Sequence, residues 1–204
     1  MAVQIHHCEQ GSASWYAARL GIPTASNFAT VMAKGEGKTR RSYMLKLAGE
    51  IITGEPAESF NNEHMERGKA MEASAREYYA FLKDVEPEQV GFITNGAKGC
   101  SPDSLIGDNG GLEIKTALPH IQIERLLKGE LPPEHKAQVQ GSLWTAEREW
   151  WDFMSYWPKC PPLIVTATRD EPYIANLAAE VDRFNAELAE IVEKVRRFGT
   201  AEAA

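Results

Sequence analysis

The stretch from Ser101 to Thr116, SPDSLIGDNGGLEIKT, constrains this chain more than any other. It reads as two short strands, SLIG and GLEIKT, around a GDNGG segment with the turn chemistry of a hairpin. Alternation along GLEIKT places Leu112 and Ile114 on one face and Glu113 and Lys115 on the other. Residues two apart on a strand project side by side, about 6.5 to 7 Å apart along the chain, and a paired strand lies about 4.8 Å away. Asp103 can therefore converge on Glu113 and Lys115 if the preceding segment pairs with GLEIKT. Two carboxylates held together repel each other unless a cation joins them. Oxygen ligands with room for water favour Mg²⁺, with Mn²⁺ as a substitute, over zinc. A lysine beside such an ion can position or help deprotonate a water while the ion stabilises charge growing on phosphorus. The same three charges would also serve as a cross-strand salt bridge, worth about 0 to 1 kcal/mol if exposed. Spacing alone leaves both readings open.

The remaining sequence is that of a globular α/β protein. Its 204 residues suit one domain spanning 1–204, and 43% are hydrophobic and 25% charged, enough for a sizeable core. No apolar run approaches the roughly 18 to 20 residues that cross a bilayer. The start, MAVQIHHCEQ, lacks the apolar centre of a signal peptide, so a cytoplasmic location is expected, with no membrane partner. Cys8, Cys100 and Cys160 have no metal-ligand spacing and suit a reducing compartment. His6, His7 and Cys8 lack the further ligands of a tetrahedral site. A net charge of −7 excludes a surface coated with DNA-binding charge but leaves room for a local basic track. The segment KGEGKTRR, with Lys34, Lys38, Arg40 and Arg41 in a glycine-containing loop, is either such a track or a solvated loop.

Ser12 is a suitable N-cap for a short helix through Leu20, and Thr24 for another over Ala25 to Ala33; a third helix is expected from Arg40 to Thr53. From Asn62 to Lys83 the apolar residues Met71, Ala75, Tyr78, Tyr79 and Leu82 recur with helical period, with Glu72 at the border of the stripe. Strands are expected in QVGFIT, EWWDFMSYW and PLIVTAT, and a helix from Pro133 to Ala146. The last helix, Tyr173 to Phe198, repeats Leu177, Val181, Phe184, Leu188, Ile191 and Val195, a stripe that fits packing on its own domain better than a coiled coil. This order predicts a mixed sheet flanked by helices.

The motifs together say more than the spacing. SPD…GLEIK is the PD-(D/E)xK nuclease signature, and the chain resembles the phage-type alkaline exonucleases, the lambda-exonuclease and YqaJ-like viral recombinase family. The resemblance runs in order through SWYAARLGIPTAS, ERGKAMEASAREYY, CSPDSL, GGLEIK and AQVQGSLW to WWDF. It implies a restriction-endonuclease-like core and a Mg²⁺-dependent enzyme. Such an enzyme digests linear double-stranded DNA from the 5′ end and leaves a 3′ single strand for annealing recombination. A homotrimeric ring, a single-strand annealing partner and a phage or prophage origin in a bacterial host are implied in the same way. Matched by motif, Asp103, Glu113 and the Ile114 carbonyl would hold the metal, with Glu72 joining directly or through water. Lys115 would meet the attacking water or the scissile phosphate, and Gln138 would stand near the active site while Gln140 faces elsewhere. Arg19, Ser26 and Ser101 match residues that grip a terminal 5′-phosphate, which suits the forked charge of arginine. Lambda-type members have a tyrosine at the position of His135. A histidine there would contact substrate or water, with its protonation mattering near pH 6.5. The segment after Lys115, TALPH, also departs from the family pattern.

Overall fold

The computed structural model describes residues 2–33, 37–57 and 63–198. Its first half runs β1 (Gln4–His6), α1 (Ala13–Ala18), α2 (Phe28–Val31), α3 (Lys38–Thr53) and α4 (Glu63–Lys83). The strands β2 (Pro87–Glu88), β3 (Phe92–Thr94), β4 (Gly99–Cys100), β5 (Ser104–Ile106) and β6 (Gly110–Thr116) follow. Then come α5 (Pro119–Lys128), α6 (Pro133–Ala146), β7 (Trp150–Tyr156), β8 (Leu163–Thr168) and α7 (Glu171–Arg196). The main sheet has the order β2-β5-β6-β7-β8 and is mixed: β6 and β7 are parallel, and the other neighbours antiparallel. A smaller antiparallel sheet, β1-β3-β4, stands beside it.

Parallel neighbours need a crossover, and α5 and α6 supply it. Helices then cover both faces of β6 and β7, so Gly110–Ile114 and Trp151–Ser155 are buried irrespective of which way they point. On one face Leu112, Ile114 and Met154 pack with Ala75 and Tyr79 of α4. On the other, Trp151 and Phe153 pack with Val139 and Leu143 of α6 and with Leu177, Val181 and Phe184 of α7.

Several local expectations are revised. The hairpin turn is shorter than GDNGG, because Gly110 and Gly111 belong to β6. They lie against the rings of Trp150 and Trp151, where a Cβ on either glycine would collide. Their small size answers a packing demand from the parallel neighbour, not a turn. The segment after Thr24 is a 3₁₀ turn over Ala25–Asn27 followed by one turn of α-helix, and Thr24 makes no side-chain cap. Ser12 does cap α1, accepting from Trp15 N at 3.3 Å.

Lys38, Arg40 and Arg41 lie in the first turns of α3 and not in a loop, while Lys34, and Asn62 at the expected start of α4, fall outside the described residues. Arg40 is an anchor: it forks onto Glu187 of α7 at 2.6 and 2.9 Å and donates to Val31 O at 3.3 Å. It is thereby removed from any DNA track. Over the described part of α4, residues 71–83, the buried positions are Ala75 and Tyr79, with Tyr78 and Leu82 exposed. In α7 the buried stripe ends on Val192, and Val195 is 49% exposed because the last turn runs past the domain it packs on. Helix α5 was not anticipated. Its signals are Pro119 in the first turn and Gly129 in the left-handed conformation just after it. Among the described residues no helix is long and apolar enough to cross a membrane.

Candidate active site

The antiparallel pairing of β5 with β6, Ser104 opposite Leu112, extends back to Asp103, whose N–H donates to Leu112 O at 3.2 Å. This register carries the Asp103 carboxylate over the next strand, where Oδ2 accepts from Ile114 N at 2.5 Å. The convergence expected of the hairpin is therefore present. Glu113 is buried, and its Oε1 receives both Lys115 Nζ at 2.5 Å and Gln138 Nε2 at 2.6 Å. Its Oε2 is buried and has no hydrogen-bond partner among the described residues.

These carboxylates are held at a cost. Burial first, then the charges of Glu113 and Glu72, push the Asp103 carboxyl well above the ordinary aspartate range. Burial raises Glu113 as well, opposed chiefly by Lys115. For Lys115 burial acts against the charge, but Glu113, Asp103 and Glu72 together outweigh it and keep the amine a firm ammonium. Glu72 is close enough to act on both acids, yet its Oε1 is taken by Arg76 Nη2 at 2.5 Å. Arg76 in turn donates to Ser104 Oγ at 3.0 Å, tying α4 to β5. Arg76 was not singled out from the sequence, although it lies one helical turn after Glu72 inside the same motif.

Among the described residues, no three His, Cys, Asp or Glu side chains stand together as a ready ligand set. Each carboxylate has turned instead to an N–H or a cation of the protein. The donor chemistry nevertheless fits a hard divalent cation. Two carboxylates share a buried corner, one oxygen is orphaned, and the Ile114 backbone is bound to Asp103. A buried carboxylate oxygen left without a partner costs free energy unless a donor or a cation reaches it.

Gln138 connects this corner to a neighbouring cavity. A space of about 120 Å³ is lined by Trp15, Arg19, Ser26, Ser101, Gln138 and Ser142, so the three side chains expected at a terminal phosphate surround one hollow. The Arg19 guanidinium lies 4.0 Å from the centroid of the Trp15 ring. Trp15 Nε1 donates to Ser101 Oγ and to Gly91 O, both at 3.0 Å, which fixes the ring beneath the arginine. Ser26 Oγ is 3.2 Å from Thr24 Oγ1. Gln140 faces away, as expected, donating to Thr168 O at 2.8 Å and accepting from Asp170 N at 2.9 Å.

His135 lies one turn before Gln138, its ring stacked on Phe153 with centroids 5.0 Å apart. Burial, Lys115 and Arg125 push its pKa down to about 4, so the expected switch near pH 6.5 is not available in the folded protein. Arg125, on the unanticipated helix α5, is the other site residue that the sequence did not reveal.

A mixed sheet flanked by helices, bearing an Asp just before one strand of a hairpin and a Glu and a Lys on the next, defines the restriction-endonuclease-like class with a PD-(D/E)xK core. Within it, residues 14–149 match the YqaJ-like viral recombinase domain, and the chain belongs to that family. It is 34% identical to LHK-Exo, an alkaline exonuclease from Laribacter hongkongensis. That structure superposes with a TM-score of 0.85 over 94% of this chain and 100% of that one. A structure of LHK-Exo in complex with dAMP superposes over the same shares with a TM-score of 0.86. A phage-related exonuclease from Haemophilus somnus 129PT has the same fold at 13% identity, with a TM-score of 0.64 over 85% of this chain and 96% of that one. No curated protein matches the sequence.

Proposed function

We propose that residues 1–204 form one exonuclease domain that hydrolyses linear double-stranded DNA in the presence of Mg²⁺. Digestion starts at 5′-phosphorylated ends, proceeds 5′ to 3′ on one strand, and leaves 3′ overhangs for single-strand annealing recombination. The observation that carries this reading is the buried Asp103–Glu113–Lys115 corner with its orphaned Glu113 Oε2, joined through Gln138 to the Arg19 cavity. A metal-dependent cutting site and an anion site one residue apart suit a strand end held for cleavage.

Asp103, Glu113 and the Ile114 carbonyl would hold the ion, with Glu72 reaching it through water once released from Arg76. The ion, when bound, supplies Lewis-acid stabilisation of charge on the scissile phosphate and lowers the pKa of a bound water. Lys115, an ammonium beside Glu113, would donate to the attacking water or to a phosphate oxygen and so orient the attack. Gln138 keeps Glu113 in its rotamer through the bond at 2.6 Å. Arg19 receives the terminal phosphate with two parallel N–H groups, and Ser26 and Ser101 supply hydroxyls. His135 contacts the DNA as a neutral ring. The resemblance carries further parts of the reading: a homotrimeric ring around the duplex, a partner protein that anneals single strands, and action in the cytoplasm of a bacterial host of a phage or prophage.

Digestion of end-labelled linear duplex with Mg²⁺ tests the proposal. Wild type should shorten strands from the 5′ end and leave closed circles intact, and Lys115→Ala should lose at least about 10²-fold in rate while still binding DNA. Full activity in Lys115→Ala, or cutting of closed circles, would overturn it. Light-scattering mass on the same sample decides the trimer.

A further inference from the structure

Helix α5 brings a guanidinium to the rim of the site, and its contacts settle which nitrogen of His135 carries a proton. Arg125 has a side chain only 13% exposed. Its Nη1 donates to Ser155 Oγ at 3.1 Å, and its Nη2 lies 3.0 Å from His135 Nε2 and 3.3 Å from Glu134 Oε1. Ser155 is the β7 residue directly beside Lys115 of β6. Its hydroxyl donates onward to Gln122 Oε1 at 2.6 Å. Gln122 is fully buried and anchored by Ser155 O at 3.1 Å and Pro161 O at 2.8 Å. Donation thus fans out from Arg125, through Ser155 to Gln122 in the core and onto His135 at the site.

Arginine has N–H donors and no acceptor. The nitrogen facing Nη2 must therefore accept, which leaves Nε2 of His135 bare and puts the ring proton on Nδ1. A half-turn of the ring would keep the stack on Phe153 but present Cε1 to Arg125 in place of Nε2, so only this pose makes the hydrogen bond. The charged groups that act on His135 are Lys115 from β6, Arg125 from α5 and Glu134 on its own helix; of these Glu134 is 61% exposed and the weakest partner. Gln138, on the same face of α6 one turn later, bonds Glu113. His135 therefore stands at the edge of the carboxylate corner.

We propose that Arg125 is a positioning residue: it fixes His135 in the Nδ1–H form, flat on Phe153, so that the imidazole donates a hydrogen bond to a non-bridging oxygen of a DNA phosphate at the site. The proposal rests on the nuclease reading for its substrate, while the Arg125–His135 arrangement itself does not. Two donors to the phosphate then flank the scissile group, Lys115 from the sheet and His135 from the crossover.

Two measurements on the full chain test it. A long-range proton–nitrogen NMR spectrum of ¹⁵N-histidine protein, assigned with His135→Gln, should show Nδ1 protonated and Nε2 bare in wild type, and loss of that single form in Arg125→Gln. Steady-state digestion of a 5′-phosphorylated linear duplex should show KM raised about tenfold in Arg125→Gln and in His135→Gln, with a smaller change in kcat. The double variant should be no worse than the poorer single one, since both remove the same contact. Arg125→Lys, which can reach Ser155 or His135 but not both, should fall between and serves if Arg125→Gln does not fold. An Nε2–H form in wild type, an unchanged form in Arg125→Gln, or losses that multiply in the double variant would overturn the proposal. If wild type digests no DNA, the nuclease reading fails, and the NMR result still decides the arrangement.

Discussion

Asp103 shows what the proposed metal corner costs in stability. Its carboxylate is buried beside Glu113 and within reach of Glu72, and burial with repulsion outweighs the help from Lys115 and the Ile114 N–H. Asp103→Asn should remove the charge while keeping an acceptor for Ile114 N. In EDTA it should melt a few degrees higher than wild type, of the order expected for about 1 kcal/mol, yet lose digestion altogether. Mg²⁺ should raise the melting temperature of wild type and leave that of Asp103→Asn unmoved; an equal shift in both would remove Asp103 from the metal. Arg19 makes the second case at this scale. Stacked on Trp15 and lining one cavity with Ser26 and Ser101, it is the anion receptor of the proposed reading. Arg19→Ala should reduce the preference for 5′-phosphorylated over 5′-hydroxyl ends by about tenfold or more, as expected for loss of a charge-assisted fork. An unchanged ratio would take Arg19 out of end recognition. The side chains quoted in motifs, from Arg19 to Gln138, divide between the carboxylate corner and the cavity that Gln138 joins to it. Arg76 and Arg125 stayed hidden because an arginine on a helix looks the same whether it meets water or a partner strand.

At the scale of elements, the β6–β7 pair decides most of the architecture. Two parallel strands covered on both faces demand residues that pack in both directions, and the glycines of β6 lie where the Trp150 and Trp151 rings leave no room. Gly111→Ala should therefore cost about 1–3 kcal/mol through overpacking, read as a lowered melting temperature with the far-ultraviolet spectrum retained. A tolerated alanine would mean that the indole moves freely. The alternation of GLEIKT was legible from sequence, as were the limits of α6 and the N-cap at Ser12. What was not legible was that the same strand is buried on both sides, so that its polar face is a cleft and not a surface. Helix α5 was missed because its apolar side is not its buried side: Ile123 and Leu127 are exposed, while the fully buried residue is a glutamine, Gln122.

For the whole molecule, two opposing proton linkages should shape the stability curve. His135 titrates near 4 when folded but near 6.5 when unfolded, so the unfolded chain binds more protons between those values. Stability should then fall as pH drops from about 6.5 to 4, by up to about 1.4 kcal/mol per unit, and His135→Gln should flatten that limb. Asp103 and Glu113 act with the opposite sign. Their folded pKa values are raised, so without metal they withdraw stability as pH climbs above the ordinary carboxylate range. Urea titrations in EDTA across this range, for wild type and His135→Gln, check the acid limb; an identical slope in both would reject it.

The sequence by itself determined the class of fold, the hairpin that carries the acids, the order of the main elements and the side chains that gather at the site. These are local matters of period, turn chemistry and motif spacing, and they survive any arrangement of neighbours. Only the tertiary structure decided which charges are spent inside the fold and which remain for a substrate. Arg40 is consumed by Glu187, Glu72 is held by Arg76, and His135 is neutral under Arg125. Each of these is a contact between elements distant in sequence or a choice among rotamers within a motif. Burial then sets the electrostatic cost, which no spacing along the chain can encode.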